Sequence, residues 1–385
     1  MSGRRFDRRE VFRLAGGGWA AAAAAGGLAA ILPAGAEAYR PGERVEGGPI
    51  EGIEASWWKR LDGNRVECGL CPRKCRVADR ERGACGGREN RGGTYRSLVW
   101  GLVCALHADP VEKKPFFHVR PGSTALSYAT AGCNVECKFC QNWEISQFRP
   151  EQVDSVWVPP EAMVQAARRA GAPLVAATYS EPVIFWEYVR DVSRAARKAG
   201  IGSLVVSNGY IQEKPLGDVL PLLEAYKVDL KSFRERFYRD VVRGELRPVL
   251  ETMERIRAAG VWLEIVVLIV PTLNDSDAEA RDLARWVKAN LGAEVPVHFT
   301  RFHPTYRLTN LPPTPVATLD RLWKLARAEG LEYVYVGNVP GHPGENTVCP
   351  GCGTVLIRRL GFRILENRLK RGRCPKCGRR IPGVW

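Results

Sequence analysis

The sequence predicts an α/β fold, a partial (β/α)6 barrel of the TIM type between a small cysteine-rich module and a C-terminal zinc ribbon. Three observations predict it. From about residue 124, short apolar runs alternate with runs of helical period, which is typical of parallel strands joined by crossover helices. Eleven of the twelve cysteines fall into three clusters with metal-ligand spacing. The last of these clusters consists of two C-x2-C pairs.

The 385-residue chain is 45% hydrophobic and 26% charged, an ordinary globular composition with room for one large core and small appendages. Its net charge of +15 permits a nucleic-acid or acidic partner but demonstrates neither. We expect four segments: a leader (1–38), a cysteine-rich module (39–122), a core (123–340) and a ribbon (341–385).

The leader combines a basic head with an Ala/Gly-rich run over residues 14–32 and small residues over 34–38. Residues 7–12, DRREVF, resemble a twin-arginine export signal. We therefore expect export to the periplasm or cell envelope, with no stable membrane span after cleavage, and a cytoplasmic protein if the leader is not functional. An uncleaved anchor or a disordered tail are the alternatives.

The cysteine-rich module has the spacing C-x2-C-x3-C-x9-C, formed by Cys68, Cys71, Cys75 and Cys85. Four thiolates within eighteen residues form a closed site, for zinc or for an auxiliary iron–sulfur cluster. The spacing does not decide between them. The segment has few apolar runs, so we expect it to need its metal to fold. A structural role is the first expectation and electron relay the alternative.

Residues 109–123 are expected to be a linker punctuated by prolines and Gly122. It and its flank carry polar residues that we expect to pack within the protein rather than to touch substrate: His107, Glu112, Lys113, Lys114 and His118.

Seven apolar runs are expected to form strands: 124–130, 174–179, 203–208, 226–231, 262–270, 297–302 and 333–337. Helices are expected over residues 185–199, 274–292 and 316–330, each ending at a glycine. Chemistry in barrels of this type sits at the C-terminal ends of the strands. The residues that follow each strand are therefore the candidates for the site.

The loop after the first predicted strand contains Cys133, Cys137 and Cys140 in the spacing C-x3-C-x2-C. Three thiolates can bind three corners of a cubane cluster and leave the fourth iron open for a substrate or cosubstrate. The alternatives are a three-cysteine zinc site with a distant fourth ligand, or buried cysteines without a metal.

This spacing, with Phe139 before the last cysteine, resembles the signature of radical S-adenosylmethionine (SAM) enzymes. The resemblance implies a [4Fe–4S] cluster whose open iron binds SAM. It also implies that the reduced cluster cleaves SAM and that a 5′-deoxyadenosyl radical removes hydrogen from a substrate, an oxidoreductase-type chemistry. A low-potential electron donor of the flavodoxin or ferredoxin type is implied as well.

Polar residues at the later strand ends are candidates for binding SAM: Glu181, Asn208, Asp229, Lys231 and His303. Glu181 resembles the acidic residue of the family's GGE motif, which accepts hydrogen bonds from the SAM amino group. Tyr179 and Ser180 replace the two glycines of that motif.

Asp229 and Lys231 lie on the same side of their strand and would supply an acceptor for the ribose and a cation for the carboxylate. In similar enzymes a residue at the position of His303 is in reach of the ribose. An ordinary salt bridge between Asp229 and Lys231, and a simple turn at Asn208 and Gly209, are the alternatives.

The C-terminal pairs CPGC and CPKC are separated by 21 residues and predict a zinc site of four thiolates: Cys349, Cys352, Cys374 and Cys377. The arm between the pairs is basic. We favour a solvated face that docks on the barrel over a nucleic-acid surface, because base-stacking aromatics are nearly absent and Phe362 is the exception.

Residues 60–385 resemble the radical SAM enzymes of the AmmeMemoRadiSam system, which are similar to pyruvate formate-lyase-activating enzymes. The motifs that carry this resemblance are ECGLCPRKC, DPVEKKP, GCNVECKFCQNWEIS, TYSEP, SNGY, VDLK, HFTRFHP, YVYVGN and the terminal cysteine pairs.

The resemblance leaves the substrate open, as a small molecule or a partner protein. A glycyl-radical activase is an alternative, although residues 141–348 lack the cysteines of the ferredoxin-like inserts that some activases carry. A nucleic-acid-binding metalloprotein is the third interpretation.

Overall fold

The computed structural model describes residues 38–39 and 50–385. The predicted leader over residues 1–38 lies outside the described residues except for Ala38, which pairs with Val156 through the backbone. In the described part of the chain, no helix combines the length and the apolar character that a bilayer crossing requires.

The described residues form twenty strands. They are β1 (Ala38–Tyr39), β2 (Ile53–Glu54), β3 (Trp58–Arg60), β4 (Val66–Cys68), β5 (Arg76–Val77), β6 (Arg88–Arg91), β7 (Thr94–Ser97), β8 (Leu102–Val103), β9 (Ala105–Pro110), β10 (Thr124–Ala129), β11 (Ser155–Trp157), β12 (Leu174–Ala177), β13 (Gly202–Ser207), β14 (Ala225–Asp229), β15 (Trp262–Ile269), β16 (Val297–Arg301), β17 (Val334–Gly337), β18 (Thr347–Val348), β19 (Val355–Leu360) and β20 (Arg363–Asn367).

The α-helices of the same residues lie mainly between the strands of the core. They are α1 (Trp143–Ser146), α2 (Pro160–Arg169), α3 (Trp186–Lys198), α4 (Glu213–Val219), α5 (Glu235–Phe237), α6 (Leu246–Ala258), α7 (Asp277–Asn290) and α8 (Val316–Ala328). A π-helical turn, Tyr238–Val242, follows α5.

The main sheet has eight strands in the order β17-β16-β15-β14-β13-β12-β10-β9. Strands β10 and β12 to β17 run parallel to one another, and β9 pairs antiparallel with β10. The predicted α/β fold with a parallel sheet is confirmed. Strand β9 lies within the range predicted for the cysteine-rich module, yet it extends the sheet of the core.

The helices form where their apolar faces and end signals agree. In α3, Tyr188, Val189, Val192 and Ala196 are buried on one face, and Gly200 beyond its end has a φ of +73°. Ser276 caps α7 because its side chain accepts a hydrogen bond from the backbone N–H of Glu279. The parallel connections leave the carboxyl ends of the central strands at one edge of the sheet.

The cysteine-rich module contains two small antiparallel sheets, β2-β7-β6 and β3-β4-β5. One buried ion pair joins it to the core: the guanidinium of Arg88 lies 2.6 Å from a carboxylate oxygen of Glu187 on α3. The other oxygen of Glu187 accepts a hydrogen bond from the backbone N–H of Ser56, 2.7 Å away. Both charged side chains are almost fully buried. The module and the core therefore depend on each other for charge balance.

We predict that Glu187→Ala lowers the free energy of unfolding by about 3–5 kcal/mol, because it leaves Arg88 buried without its counter-ion. The measurement is the denaturant midpoint of the metal-replete protein, followed by circular dichroism. Glu251→Ala removes an exposed partner of Arg247 on α6 and is the matched control, with no resolvable shift expected. Equal midpoints for the two variants would contradict the assignment.

Candidate functional site

A cavity of about 570 Å³ opens at the carboxyl ends of the parallel strands. Loops and strand ends that are far apart in sequence supply its walls. The predicted site residues that line it are Cys133, Cys137, Phe139, Cys140, Glu181, Asn208, Asp229 and Lys231. The structure therefore brings together every predicted residue of the cluster and SAM sites except His303.

The loop with the three cysteines is held from two sides. The backbone N–H groups of Glu136 and Lys138 donate to carbonyls of the π-helical turn, Val242 at 2.8 Å and Val241 at 3.1 Å. The N–H of Gly132 donates to the carbonyl of Ile145 at 2.7 Å. Phe139 packs against Phe237 with ring centroids 5.9 Å apart. These contacts order the loop and present its thiols to the cavity.

Burial controls the ionisation of these thiols. It raises the pKa of Cys137 to about 12 and holds the pKa of Cys133 and of Cys140 above the ordinary range. Thiols in this environment ionise when a cation compensates their charge, which is how metal binding couples to thiol ionisation. Three such donors around one cavity fit an iron–sulfur cluster.

Glu181 links the ends of two neighbouring strands. One of its carboxylate oxygens accepts hydrogen bonds from the Ser207 hydroxyl at 2.6 Å and the Val183 N–H at 3.1 Å. The other accepts from the backbone N–H of Asn208 at 2.8 Å. Burial raises the pKa of Glu181 to about 7 despite these donors. A cation entering the cavity would favour its ionised form.

Asp229 lies between two lysines. Its carboxylate oxygens are 2.5 Å from Nζ of Lys227 and 3.2 Å from Nζ of Lys231. Burial opposes its ionisation, but the two ammonium groups lower the pKa of Asp229 to about 2. The salt bridge considered as an alternative is present, with a second lysine added. Two cations around one carboxylate leave this wall of the cavity positive.

Asn208 orders the cysteine loop from behind. Its side-chain amide donates to Oδ1 of Asn134 at 2.9 Å and lies 3.9 Å from Sγ of Cys133. Its Oδ1 accepts the backbone N–H of Tyr210, and Gly209 has a φ of +72°. The turn at Asn208 and Gly209 is therefore present, and the same turn positions a side chain beside the cysteines.

His303 is the predicted site residue that the structure does not bring to the cavity. It follows β16, and its side chain is exposed. Its neighbour Phe302 is buried, and successive side chains of extended chain point to opposite sides. Thr300, three residues earlier, occupies the cavity wall at this strand end.

Sequence reasoning missed a second polar cluster on the cavity rim. The Tyr179 hydroxyl donates to Asp109, whose carboxylate also lies 2.6 Å from Nζ of Lys114 and 2.8 Å from Nζ of Lys113. The Lys114 ammonium lies 4.1 Å from the centroid of the Tyr179 ring. Burial lowers the pKa of Lys114 to about 8.

The signal for this cluster is Tyr179, whose φ of +67° is a conformation that favours glycine. The replacement of a GGE glycine by Tyr179 is the feature of the sequence that could have pointed to this cluster. Lys113 and Lys114, expected to pack away from substrate, both line the cavity.

The twelve cysteines all lie in the described residues and are free thiols. The four C-terminal ones have ligand atoms within 4.8 Å of one another, which places a metal-competent cluster at the C-terminus. Their closest sulfur pairs are Cys349 with Cys377 at 3.5 Å and Cys352 with Cys374 at 3.6 Å. The four cysteines of the cysteine-rich module surround a separate enclosed cavity.

Comparison with known proteins agrees with this geometry. The sequence profile of the Radical SAM superfamily matches residues 127–287. The uncharacterized protein MJ0808 of Methanocaldococcus jannaschii is 44% identical over 330 residues, which are 85% of this chain and 98% of that protein. This chain belongs to the radical SAM superfamily.

More distant relatives of this radical SAM protein include the pyruvate formate-lyase 1-activating enzyme of Escherichia coli K12. It is 21% identical over 207 residues, which cover 50% of this chain and 83% of that enzyme. A solved radical SAM methyltransferase from Sphaerobacter thermophilus aligns with 58% of this chain and 70% of its own at 19% identity. Its TM-score is 0.44.

We predict that Lys231→Met weakens SAM binding by at least about tenfold, because a hydrogen bond to a charged group contributes roughly 1.5–3 kcal/mol. The iron content should not change. The measurement is equilibrium binding of SAM to the reconstituted protein, with Lys324→Met, an exposed lysine on α8, as the control. Unchanged affinity in Lys231→Met would leave this lysine only its structural ion pair with Asp229.

Proposed function

We propose that the cavity at the carboxyl ends of the strands holds a [4Fe–4S] cluster together with SAM. The protein is a radical SAM enzyme, and its family implies both groups, a reductant and a substrate. The observation that carries this proposal is the convergence of Cys133, Cys137 and Cys140 with Glu181 and Lys231 on one cavity. When bound, the reduced cluster supplies the electron that cleaves SAM to a 5′-deoxyadenosyl radical.

We assign a role to each residue of the cavity from its charge. The three cysteines ligate the cluster and leave one iron for SAM. Glu181 accepts hydrogen bonds from the SAM ammonium group, since its carboxylate borders the cavity on the side of Cys133. Lys231 faces the SAM carboxylate, and Asp229 keeps that lysine charged by holding its pKa above the usual range, against the effect of burial.

The rim cluster presents Lys114 and Tyr179 to the cavity, with Asp109 behind them, and we propose that the substrate approaches on this side. The Lys114 ammonium has N–H donors left for an oxygen-bearing substrate, whereas the Tyr179 hydroxyl donates to Asp109. Phe362 reaches the same cavity from the turn between β19 and β20, although it belongs to the C-terminal segment. We propose that these residues contact the substrate, whether it is a small molecule or a segment of a partner protein.

We propose that the C-terminal cysteine cluster binds zinc as a ribbon. Its closest sulfur pairs, 3.5 and 3.6 Å apart, are near the separation of about 3.8 Å expected for thiolates around tetrahedral zinc. The ribbon then positions Phe362 over the cavity. We also propose that the parallel sheet curves as a partial (β/α)6 barrel, since strand ends from β10 to β16 share one cavity.

The motifs of residues 60–385 support placing the protein with the radical SAM enzymes of the AmmeMemoRadiSam system. We further propose a flavodoxin or ferredoxin as the electron donor. The twin-arginine-type leader over residues 1–38 supports export to the periplasm or cell envelope.

We predict that Cys137→Ala reduces 5′-deoxyadenosine formation to the level of cluster-free protein, because a cluster ligand is lost. The assay is anaerobic incubation of the reconstituted, reduced protein with SAM, followed by chromatography. Cys104→Ala is the matched control, since Cys104 lies outside the three clusters, and it should retain activity. Product from Cys137→Ala at the control rate would overturn the cluster assignment.

We predict that Cys352→Ala removes about one zinc per chain and leaves the iron content unchanged, because it opens the C-terminal site alone. Elemental analysis of purified wild-type and variant protein measures both metals. A loss of iron instead of zinc would show that the C-terminal cysteines do not form a zinc ribbon.

A further inference from the structure

The cysteine-rich module contains an enclosed cavity that the proposed reaction does not use. Its walls are the four cysteines together with apolar side chains, among them Leu70, Val183 and Ile184. Cys68 and Cys71 are buried, and Cys75 and Cys85 are half-buried. The four thiols thus line one largely buried cavity.

The spacing of the sulfurs separates this site from the C-terminal one. Thiolates around tetrahedral zinc lie about 3.8 Å apart, since each Zn–S bond is about 2.3 Å long. Within residues 50–385, the sulfur atoms of the four C-terminal cysteines all lie within 4.8 Å of one another. In the same residues, no three cysteines of the module have their sulfur atoms within that distance of one another.

The wider spacing is shared with Cys133, Cys137 and Cys140, which also do not meet the 4.8 Å limit as a group in the described chain. The thiolate sulfurs that ligate a cubane cluster are farther apart than those that ligate zinc, because each thiolate binds a different iron and sulfide lies between the irons. The module therefore differs from the C-terminal site in its sulfur spacing, as the cluster site does, and the wider spacing is the one that a cubane requires.

Arg88 supplies a second observation. Its side chain is fully buried and borders this cavity. Its Nη atoms donate to Ser56 and Glu187, but its Nε is buried without a hydrogen-bond partner. A buried N–H beside the cysteines is a donor for cluster sulfur, the kind of contact that tunes cluster potentials.

The module also adjoins the loop of the catalytic cysteines. A Cβ placed on Gly132, next to Cys133, would lie 2.9 Å from the carbonyl oxygen of Cys85. Asn134 lines the cavity of the module, and its side chain bonds Asn208 of the catalytic cavity. Arg73 of the module donates from Nε to the carbonyl of Asn134 at 2.5 Å. The two cysteine sites thus share one wall.

We propose that Cys68, Cys71, Cys75 and Cys85 hold a second iron–sulfur cluster of the [4Fe–4S] type, in place of zinc, and that this site passes single electrons to the catalytic site. All four of its ligands come from the protein, which suits electron transfer rather than substrate binding. The inference goes beyond the proposed function, and its metal content can be tested whether or not SAM is cleaved.

The electron balance is simple. One electron enters the module from the low-potential donor, which is oxidised. One electron then leaves toward the side of Cys133, where the oxidised catalytic site is reduced. The module returns to its starting oxidation state after each transfer, and no bond is made or broken there.

The test is metal and sulfide analysis of the full chain without its leader, reconstituted anaerobically with iron and sulfide. The decisive variant replaces Cys133, Cys137 and Cys140 with alanine. We expect it to retain about four irons per chain and a cluster EPR signal after reduction. Two zincs and no iron in that variant would overturn the proposal.

A second variant, with its substitution in the module, shows whether misfolding of the first variant affects the result. Cys71→Ser should lose about four of the eight irons of the wild type, while Cys104→Ala loses none. In Cys71→Ser, 5′-deoxyadenosine formation driven by reduced flavodoxin should fall at least tenfold, while formation driven by dithionite persists. A wild type with four irons refutes the second cluster, and an unchanged flavodoxin-driven rate refutes the electron transfer.

Discussion

The burial of three cysteine thiols at one edge of a parallel sheet is the constraint on which this structure depends. Buried thiols resist ionisation, and a nearby carboxylate such as Glu181 adds to that resistance. The charge of Lys231 opposes this effect at Cys137 but does not overcome burial. A metal cluster would supply the further positive charge, so metal binding and thiol ionisation are coupled at this site.

The same reasoning explains the polar groups around the cavity. Asp229 forms ion pairs with two lysines, so this wall is positive on the side where we propose that the SAM carboxylate binds. Glu181 is held by three donors, one from its own loop and two from the end of the neighbouring strand, so it stays in place without a partner from the cavity. The parallel strands supply these groups because their carboxyl ends meet at one edge of the sheet. The cavity therefore has fixed positive charge beside Asp229, whereas burial raises the pKa of Glu181 to about 7 and a cation would favour its ionised form.

Much of this arrangement could be predicted from the sequence. The strands of the core are continuous apolar runs, which is typical of buried parallel strands, and their ends identified Glu181, Asp229 and Lys231. Strand β9 was missed because its polar residues and Pro110 are typical of a linker. We predicted His303 at the SAM site from its position after a strand in similar enzymes. In the structure, the alternation of side chains directs it to the surface.

Contacts between segments distant in sequence could not be predicted. No pattern indicates that Phe362 reaches the cavity from a hairpin near the C-terminus, or that Asp109 meets Tyr179. Spacing alone also left open the metal of the cysteine-rich module, since C-x2-C pairs serve zinc and iron–sulfur sites alike. The separation of the sulfurs is a property of the folded chain, and it distinguishes the two cysteine sites that flank the core.

We propose that the site formed by Cys133, Cys137 and Cys140 keeps one iron open for SAM. The EPR spectrum of the reduced, reconstituted protein with and without SAM tests this. We expect SAM to change the signal of this site, and Lys231→Met to require more SAM for the same change. A spectrum that SAM leaves unaltered at saturating concentration would contradict it.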